Sequence, residues 1–189
     1  MKLLKEEMLE PVARWYRMWR AMTYLPKGRL TLIDIGCGPE AVLGRKIGRR
    51  LARYVGIDPL IKIGKHPGHW RFIKQSIDKK IDLATGMADV VISLASVEHV
   101  DHPREVIKEA IRILKPGGKL ILTTPSPRAK KLLEFLSFRM GLISAREIRE
   151  HKNYFDRLSL KKMLVSLKVS KIEHHYFELG LNNLLVVTK

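Results

Sequence analysis

The sequence predicts a doubly wound α/β domain: a mostly parallel seven-stranded sheet with helices on both faces, closed at one edge by an antiparallel C-terminal hairpin. Three observations carry that expectation. Short aliphatic runs such as Leu30–Ile35 and Asp89–Ser93 recur along the chain and read as strands buried on both faces. Stretches of helical period separate them, the alternation that builds a parallel sheet. The last two strand patterns are separated only by the turn around Gly180-Leu-Asn-Asn183, too short for a crossover, so they pair antiparallel.

In order along the chain, residues 11–22 place Val12, Trp15, Trp19 and Met22 at three- and four-residue spacing behind Pro11, which suits a first helical turn. This predicts an amphipathic N-terminal helix within an extension covering residues 1–29. Leu30–Ile35 is the first strand, followed by Gly36-Cys37-Gly38-Pro39 and a helix to about Leu51. Tyr54–Ile57, Arg71–Gln75 and Asp89–Ser93 are the second, third and fourth strands. Residues 103–114 form a helix with Val106, Ile107, Ala110, Ile111 and Leu114 on one face, stopped at Pro116-Gly117-Gly118. The fifth strand is Leu120–Thr124, a basic helix covers 128–140, another helix covers 158–167, and strands at 170–178 and 183–188 finish the sheet. At 189 residues this is one domain, with a ligand-binding core over 30–125 and a substrate-side segment with the closing strands over 126–189.

Composition excludes several classes. A hydrophobic content of 46% rules out a largely disordered chain, and one cysteine cannot form an internal disulfide. No window approaches the roughly 20 apolar residues of a membrane span, and residues 1–20 lack a secretory signal, so a cytoplasmic protein without stable membrane insertion is expected. The net charge of +17 favours anionic partners, RNA among them. Lys and Arg abound while Gln occurs only at Gln75, a bias also found in heat-adapted proteins and a rival explanation for part of the charge.

Ligands of such sheets bind beyond the strands' carboxyl ends, where strand order reverses. The first strand exits there into Gly36-Cys37-Gly38, whose glycines allow positive φ and close backbone approach. Twenty residues beyond Gly38, Asp58 ends the second strand, placed to accept two hydrogen bonds from a ribose. The same spacing would serve NAD. Asp34, two residues before the first glycine, would repel a pyrophosphate but suits the ammonium of a methionine moiety. The alternative for Asp34 is a carboxylate capping the loop's own N–H groups.

Leu32–Pro39, Val55-Gly-Ile-Asp58, Ala88–Ser93, Val97-Glu-His-Val100 and Leu114-Lys-Pro-Gly-Gly-Lys-Leu-Ile-Leu122 resemble the successive motifs of class I S-adenosylmethionine-dependent methyltransferases. The likeness is to the small ubiquinone and menaquinone biosynthesis type, and implies its Rossmann-like fold. It also implies S-adenosyl-L-methionine as cofactor, with Asp34, Gly36, Cys37 and Gly38 around the methionine, Asp58 on the ribose, and Pro59 and Leu60 beside the adenine. Ser76 and Ile77 stand where the family's adenine contact follows the third strand, and Leu94 would contribute its backbone.

Methyl transfer from a sulfonium needs alignment first and a general base second. Glu98 and His99 follow the fourth strand, and His99 is of a type to take a proton near neutral pH; the alternative is that the pair shapes the loop. Pyrimidine C5 methylation requires a thiolate nucleophile, and the only thiol, Cys37, sits in the cofactor loop. His66-Pro-Gly-His69 has no further ligands at metal-site spacing, so no metal is expected. Residues 128–171 carry twelve Lys and Arg against four acids, and 45–53 add Arg45, Lys46, Arg49, Arg50 and Arg53 with none. RNA is therefore the leading acceptor expected. The rivals are a small or lipid-like acceptor, lidded by Trp15 and Trp19, and a cofactor-binding partner subunit without its own catalysis.

Overall fold

The computed structural model describes residues 2–62, 64–78, 80–130, 132 and 152–189. Along it run α1 (Lys2–Met22), β1 (Leu30–Ile35), α2 (Val42–Ile47), β2 (Leu51–Ile57), β3 (Trp70–Ile73), β4 (Ala88–Leu94) and α3 (Pro103–Ile113). β5 (Leu114–Pro125), α4 (Arg157–Met163), β6 (Lys171–Phe177) and β7 (Asn182–Thr188) follow. The strands form one sheet in the order β3-β2-β1-β4-β5-β7-β6. β1 to β5 pair parallel, and β7 runs antiparallel between β5 and β6. The order reverses between β1 and β4, so the crevice opens at their carboxyl ends.

Both faces of the central strands are covered, which is why β1 is buried at every position except Thr31. On one face Ile33, Ile35, Val55 and Val91 pack against Val106, Ile107, Ala110 and Ile111 of α3 and Leu160 of α4. On the other, Leu32, Tyr54, Val90 and Ile92 meet Met18 and Ala21 of α1 and Leu43 and Ile47 of α2. Each such aliphatic side chain is worth about 1.5–3 kcal/mol on burial. Asp156 caps α4 reciprocally: its carboxylate accepts from Ser159 N–H at 2.7 Å while its own N–H donates to Ser159 Oγ at 2.9 Å.

Several boundaries differ from the sequence expectation. α1 continues upstream of Pro11, which lies inside the helix rather than in its first turn. Most of its expected apolar stripe faces solvent: Val12, Trp15 and Trp19 are 64%, 51% and 44% exposed, because Met18 and Ala21 form the face that docks on the sheet, and of the expected stripe Met22 packs against that core. α2 stops at Ile47 in a 3-10 turn, and β2 already begins at Leu51. α3 stops at Ile113, beside its expected end, but β5 begins at Leu114 and runs through Pro116-Gly117-Gly118 instead of starting at Leu120. The pairing register shifts there, with Leu114 opposite Ala88 and Lys119 opposite Val90, and Gly118 has carbonyl oxygens of Lys115, Ala88 and Asp89 close against it. A side chain would collide, so glycine lets the chain pass from α3 into the ladder. Of the basic helix expected at 128–140, residues 127–130 and 132 are helical and the rest lies outside the described residues. Among the described residues no helix is long and apolar enough to cross a membrane.

Candidate functional site

β1 delivers the chain into the glycine loop, where Gly36 and Gly38 have φ of 76° and 71°. A Cβ at Gly36 would lie 2.0 Å from Ser96 Oγ, so the loop sits flush against the segment leaving β4. At Gly38 nothing lies within 4 Å, and the backbone there is open to a ligand. The N–H groups of Gly36 and Cys37 donate to Ile57 O at 2.8 and 3.3 Å. Asp58 completes the tie: its Oδ2 accepts from Gly38 N–H at 2.9 Å and its Oδ1 from Leu60 N–H at 2.8 Å. Each of these oxygens keeps a second lone pair, the acceptor capacity that a vicinal diol needs.

Asp34 lies beneath the loop and is 3% exposed. It does not cap the loop's N–H groups, for its Oδ2 accepts the phenol proton of Tyr54 at 2.8 Å. Burial pushes its carboxyl up to about 7, the Tyr54 hydrogen bond opposes this, and the Asp58 charge adds to it. Burial, with the charges of Asp34 and Asp58, also pushes the Cys37 thiol up. That thiol is therefore no thiolate at neutral pH and no nucleophile.

At the exit of β4, Leu94 is half-buried and Ala95 adopts φ of 51°, its N–H donating to Thr123 O at 3.0 Å. The turn Val97–His99 then splits the expected catalytic pair. His99 is exposed, whereas Glu98 is 1% exposed and faces Thr124 and Arg17. Burial pushes Glu98 up to about 7, against the opposing pull of a backbone N–H and the Arg17 cation. Among the described residues, Glu98 Oε2, Ser93 Oγ, Thr123 Oγ1 and Thr124 Oγ1 are buried without a hydrogen-bond partner. An unmet buried polar group costs about 1–3 kcal/mol; strand alternation puts Ser93 and Thr124 on the sheet face that α3 covers and Thr123 on the face that α1 covers. The N–H groups of Lys152 and Asn153 both donate to Glu98 O at 3.0 Å, and Asn153 Nδ2 donates to Val100 O at 2.9 Å, strapping this turn in place.

The remaining expected residues are dispersed. Leu60 is 68% exposed beside Asp58, while Pro59 is exposed in the same turn. Ser76 is exposed, but the Ile77 side chain enters the core. Asp78 anchors that segment by accepting from Asp101 N–H at 2.8 Å and His102 N–H at 3.4 Å. Of the basic stretch 128–171, Lys152 pairs with Asp101 at 2.7 Å and Lys130 lies 5.9 Å from the Tyr154 ring. Lys131, Arg139, Arg146 and Arg149 fall outside the described residues. Sequence reading missed Tyr54, Arg17, Thr124 and Asn153. Tyr54 carried the one available signal, a polar aromatic in a strand otherwise buried on both faces.

The donor set suits a sulfonium nucleoside: two carboxylates, Asp34 and Asp58, at an open glycine backbone. A family profile described as a methyltransferase domain matches residues 7–166. The mitochondrial ubiquinone biosynthesis O-methyltransferase of Mus musculus is 31% identical over 134 residues, covering 65% of this chain and 34% of that protein. The ubiquinone biosynthesis O-methyltransferase of Xanthomonas oryzae is 33% identical over 101 residues, covering 49% and 42%. The chain thus spans about a third to two fifths of the length of these curated relatives. Two solved structures share the fold. One is a Haloferax volcanii methyltransferase in complex with the Trm112 activator, at TM-score 0.73, 15% identity and 92% and 89% coverage of the two chains. The other is an S-adenosylmethionine-dependent methyltransferase of Mesorhizobium loti, at TM-score 0.71, 15% identity and 92% and 98% coverage.

Proposed function

The chain belongs to the methyltransferase-domain family of class I S-adenosylmethionine-dependent enzymes, and from that premise we infer that it methylates an oxygen of a small hydroxyl-bearing acceptor. The observation that carries this reading is Glu98, a buried carboxyl in the turn that leaves β4, pushed up to about 7 and with one oxygen unpartnered among the described residues. Two relatives named as O-methyltransferases support it.

The cofactor supplies an electrophilic methyl carbon on a cationic sulfur. Asp58 receives the ribose hydroxyls, the open backbone at Gly38 admits close approach, and the Asp34 charge favours the ammonium end. Gly36 and Cys37 shape the loop, Leu94 offers backbone, and Pro59, Leu60 and Ser76 border the adenine, with Ile77 reaching it through its backbone alone because its side chain lies in the core. Glu98 Oε2 would take the acceptor's hydroxyl proton as its oxygen bonds to the methyl carbon and the sulfur–carbon bond breaks, leaving the neutral thioether S-adenosylhomocysteine. His99, exposed at the rim, shapes the entrance. A buried base fits a small acceptor better than a strand of RNA, whose support is confined to the +17 net charge.

Labelled methyl transfer into cell extract, fractionated into small molecules, RNA and protein, tests the reading. Label in the small-molecule fraction, in an alkali-stable ether, is the expected result. Label in RNA overturns the acceptor, and tight cofactor binding with no label anywhere assigns a non-catalytic binding subunit.

A further inference from the structure

The connection from β2 to β3, residues 58–69, contains no helix among its described residues. Parallel strands are ordinarily joined by a helix that covers the sheet. Here the flank between this connection and α2 instead holds a cavity of about 350 Å³, within the range that takes a nucleotide-sized ligand. Arg45, Arg49, Lys62 and Lys65 line it, with Glu40 the one acidic residue on its wall. Arg45 is braced through Nε to Glu40 O at 2.8 Å. Among the described residues Arg49, Lys62 and Lys65 make no ion pair and no side-chain hydrogen bond. Like charges gathered around one cavity repel, and a polyanion relieves that repulsion.

Rings supply the second half of the site. Trp70 and Phe72 form its inner wall, and the exposed His66 imidazole stands edge-on against Phe72 with centroids 5.2 Å apart at 76°. An exposed ring braced by another is a stacking surface for a planar base. None of Asp34, Gly36, Gly38, Asp58 or Leu60 lines this cavity; it meets the glycine loop only at Pro39 and Glu40. The two sites also have opposite electrostatics, with carboxylates at the loop and cations here.

We propose that this cavity is a second ligand site, distinct from the cofactor crevice, that binds a nucleotide unit by its phosphates and its base, either free or within a strand. Calorimetry of the full chain with ATP, inorganic pyrophosphate and a short single-stranded RNA tests it, at low and at moderate salt. ATP is expected to bind, with affinity falling as salt rises, and pyrophosphate to bind about tenfold more weakly. The double variant Arg49→Glu, Lys65→Glu should lose at least about tenfold in ATP affinity while melting temperature and S-adenosylhomocysteine affinity stay put. His66→Ala should weaken ATP and leave pyrophosphate unchanged. RNA that binds more tightly than ATP with the same sensitivities assigns a strand; RNA no tighter than ATP assigns the free nucleotide. Competition between ATP and S-adenosylhomocysteine, unaltered ATP affinity in the double variant, or equal binding of ATP and pyrophosphate overturns the proposal.

Discussion

The Tyr54 phenol donates to Asp34 Oδ2 at 2.8 Å, joining β2 to β1 directly under the glycine loop. Both groups are buried, so the bond satisfies a carboxyl that would otherwise sit in the core alone. Tyr54→Phe is expected to cost about 1–3 kcal/mol in denaturant unfolding. It should also raise the Asp34 carboxyl further, since this bond opposes the effect of burial. S-adenosylhomocysteine affinity at pH 7 then drops more than at pH 8.5; an equal drop at both would remove Asp34 from cofactor binding.

Gly44 is the position that makes room for that phenol. A Cβ there would lie 2.6 Å from the Tyr54 ring, which is wholly buried against Trp70 and Phe72 and has nowhere to go. Gly44→Ala is expected to destabilise by about 1–3 kcal/mol through overpacking. Gly68→Ala, with open space around it, should stay within about 0.5 kcal/mol. Thermal melts of the two side by side decide whether the contact is as tight as the geometry says.

Asp58 holds Gly38 and Leu60 by their N–H groups and is assigned the ribose. Asp58→Ala removes the tie and the acceptor together, so S-adenosylhomocysteine affinity should fall by at least about tenfold. An unchanged affinity by calorimetry refutes the ribose assignment.

For Glu98→Gln the expected loss in kcat is about 10²–10⁴-fold, the usual worth of a general base. The wild-type rate should rise with pH through about 7, where the Glu98 carboxyl ionises, and the variant's profile should flatten there. His99→Ala should keep more than about a tenth of the activity; a larger loss moves the base to His99.

Folding stability should follow the opposite course. Burial holds the Asp34 and Glu98 carboxyls above their ordinary values, to about 7 in each case. The folded state therefore binds protons that the unfolded chain has released, and stability falls as pH rises from about 5 through 7 before levelling. Asp89, Asp101, Glu109 and Asp156 are held low and act only at more acidic pH. Urea midpoints between pH 5 and 8 should decline for the wild type and flatten for Asp34→Asn, Glu98→Gln; a wild-type midpoint that climbs across this range contradicts the assignment.

Where a residue's role depends on its neighbours in the chain, the sequence sufficed. The strand runs, the Gly36-Cys37-Gly38 turn and Asp58 at the end of β2 could be read directly, because period, positive φ and strand-end position are local properties. So could the antiparallel closing pair, since its turn is too short for anything else. Boundaries fared worse where tertiary contacts override propensity, as when β5 begins at Leu114, which pairs with Ala88, and Gly118 passes close against Ala88 and Asp89 of β4.

Which face of a helix is buried, and which of two adjacent side chains is buried, depends on partners distant in sequence. Trp15 and Trp19 have a core-like spacing, yet Met18 and Ala21 meet the sheet. Glu98 and His99 are chain neighbours, but one turn of 3-10 helix buries the first beside Thr124 and Arg17 and leaves the second exposed. The sequence by itself determined the fold class, the glycine loop and the acid at the end of β2. Only the tertiary structure decided the Tyr54–Asp34 bond, the inward turn of Glu98 and the cation-lined cavity beside α2, because burial and opposition across strands are properties of packed surfaces and not of sequence spacing.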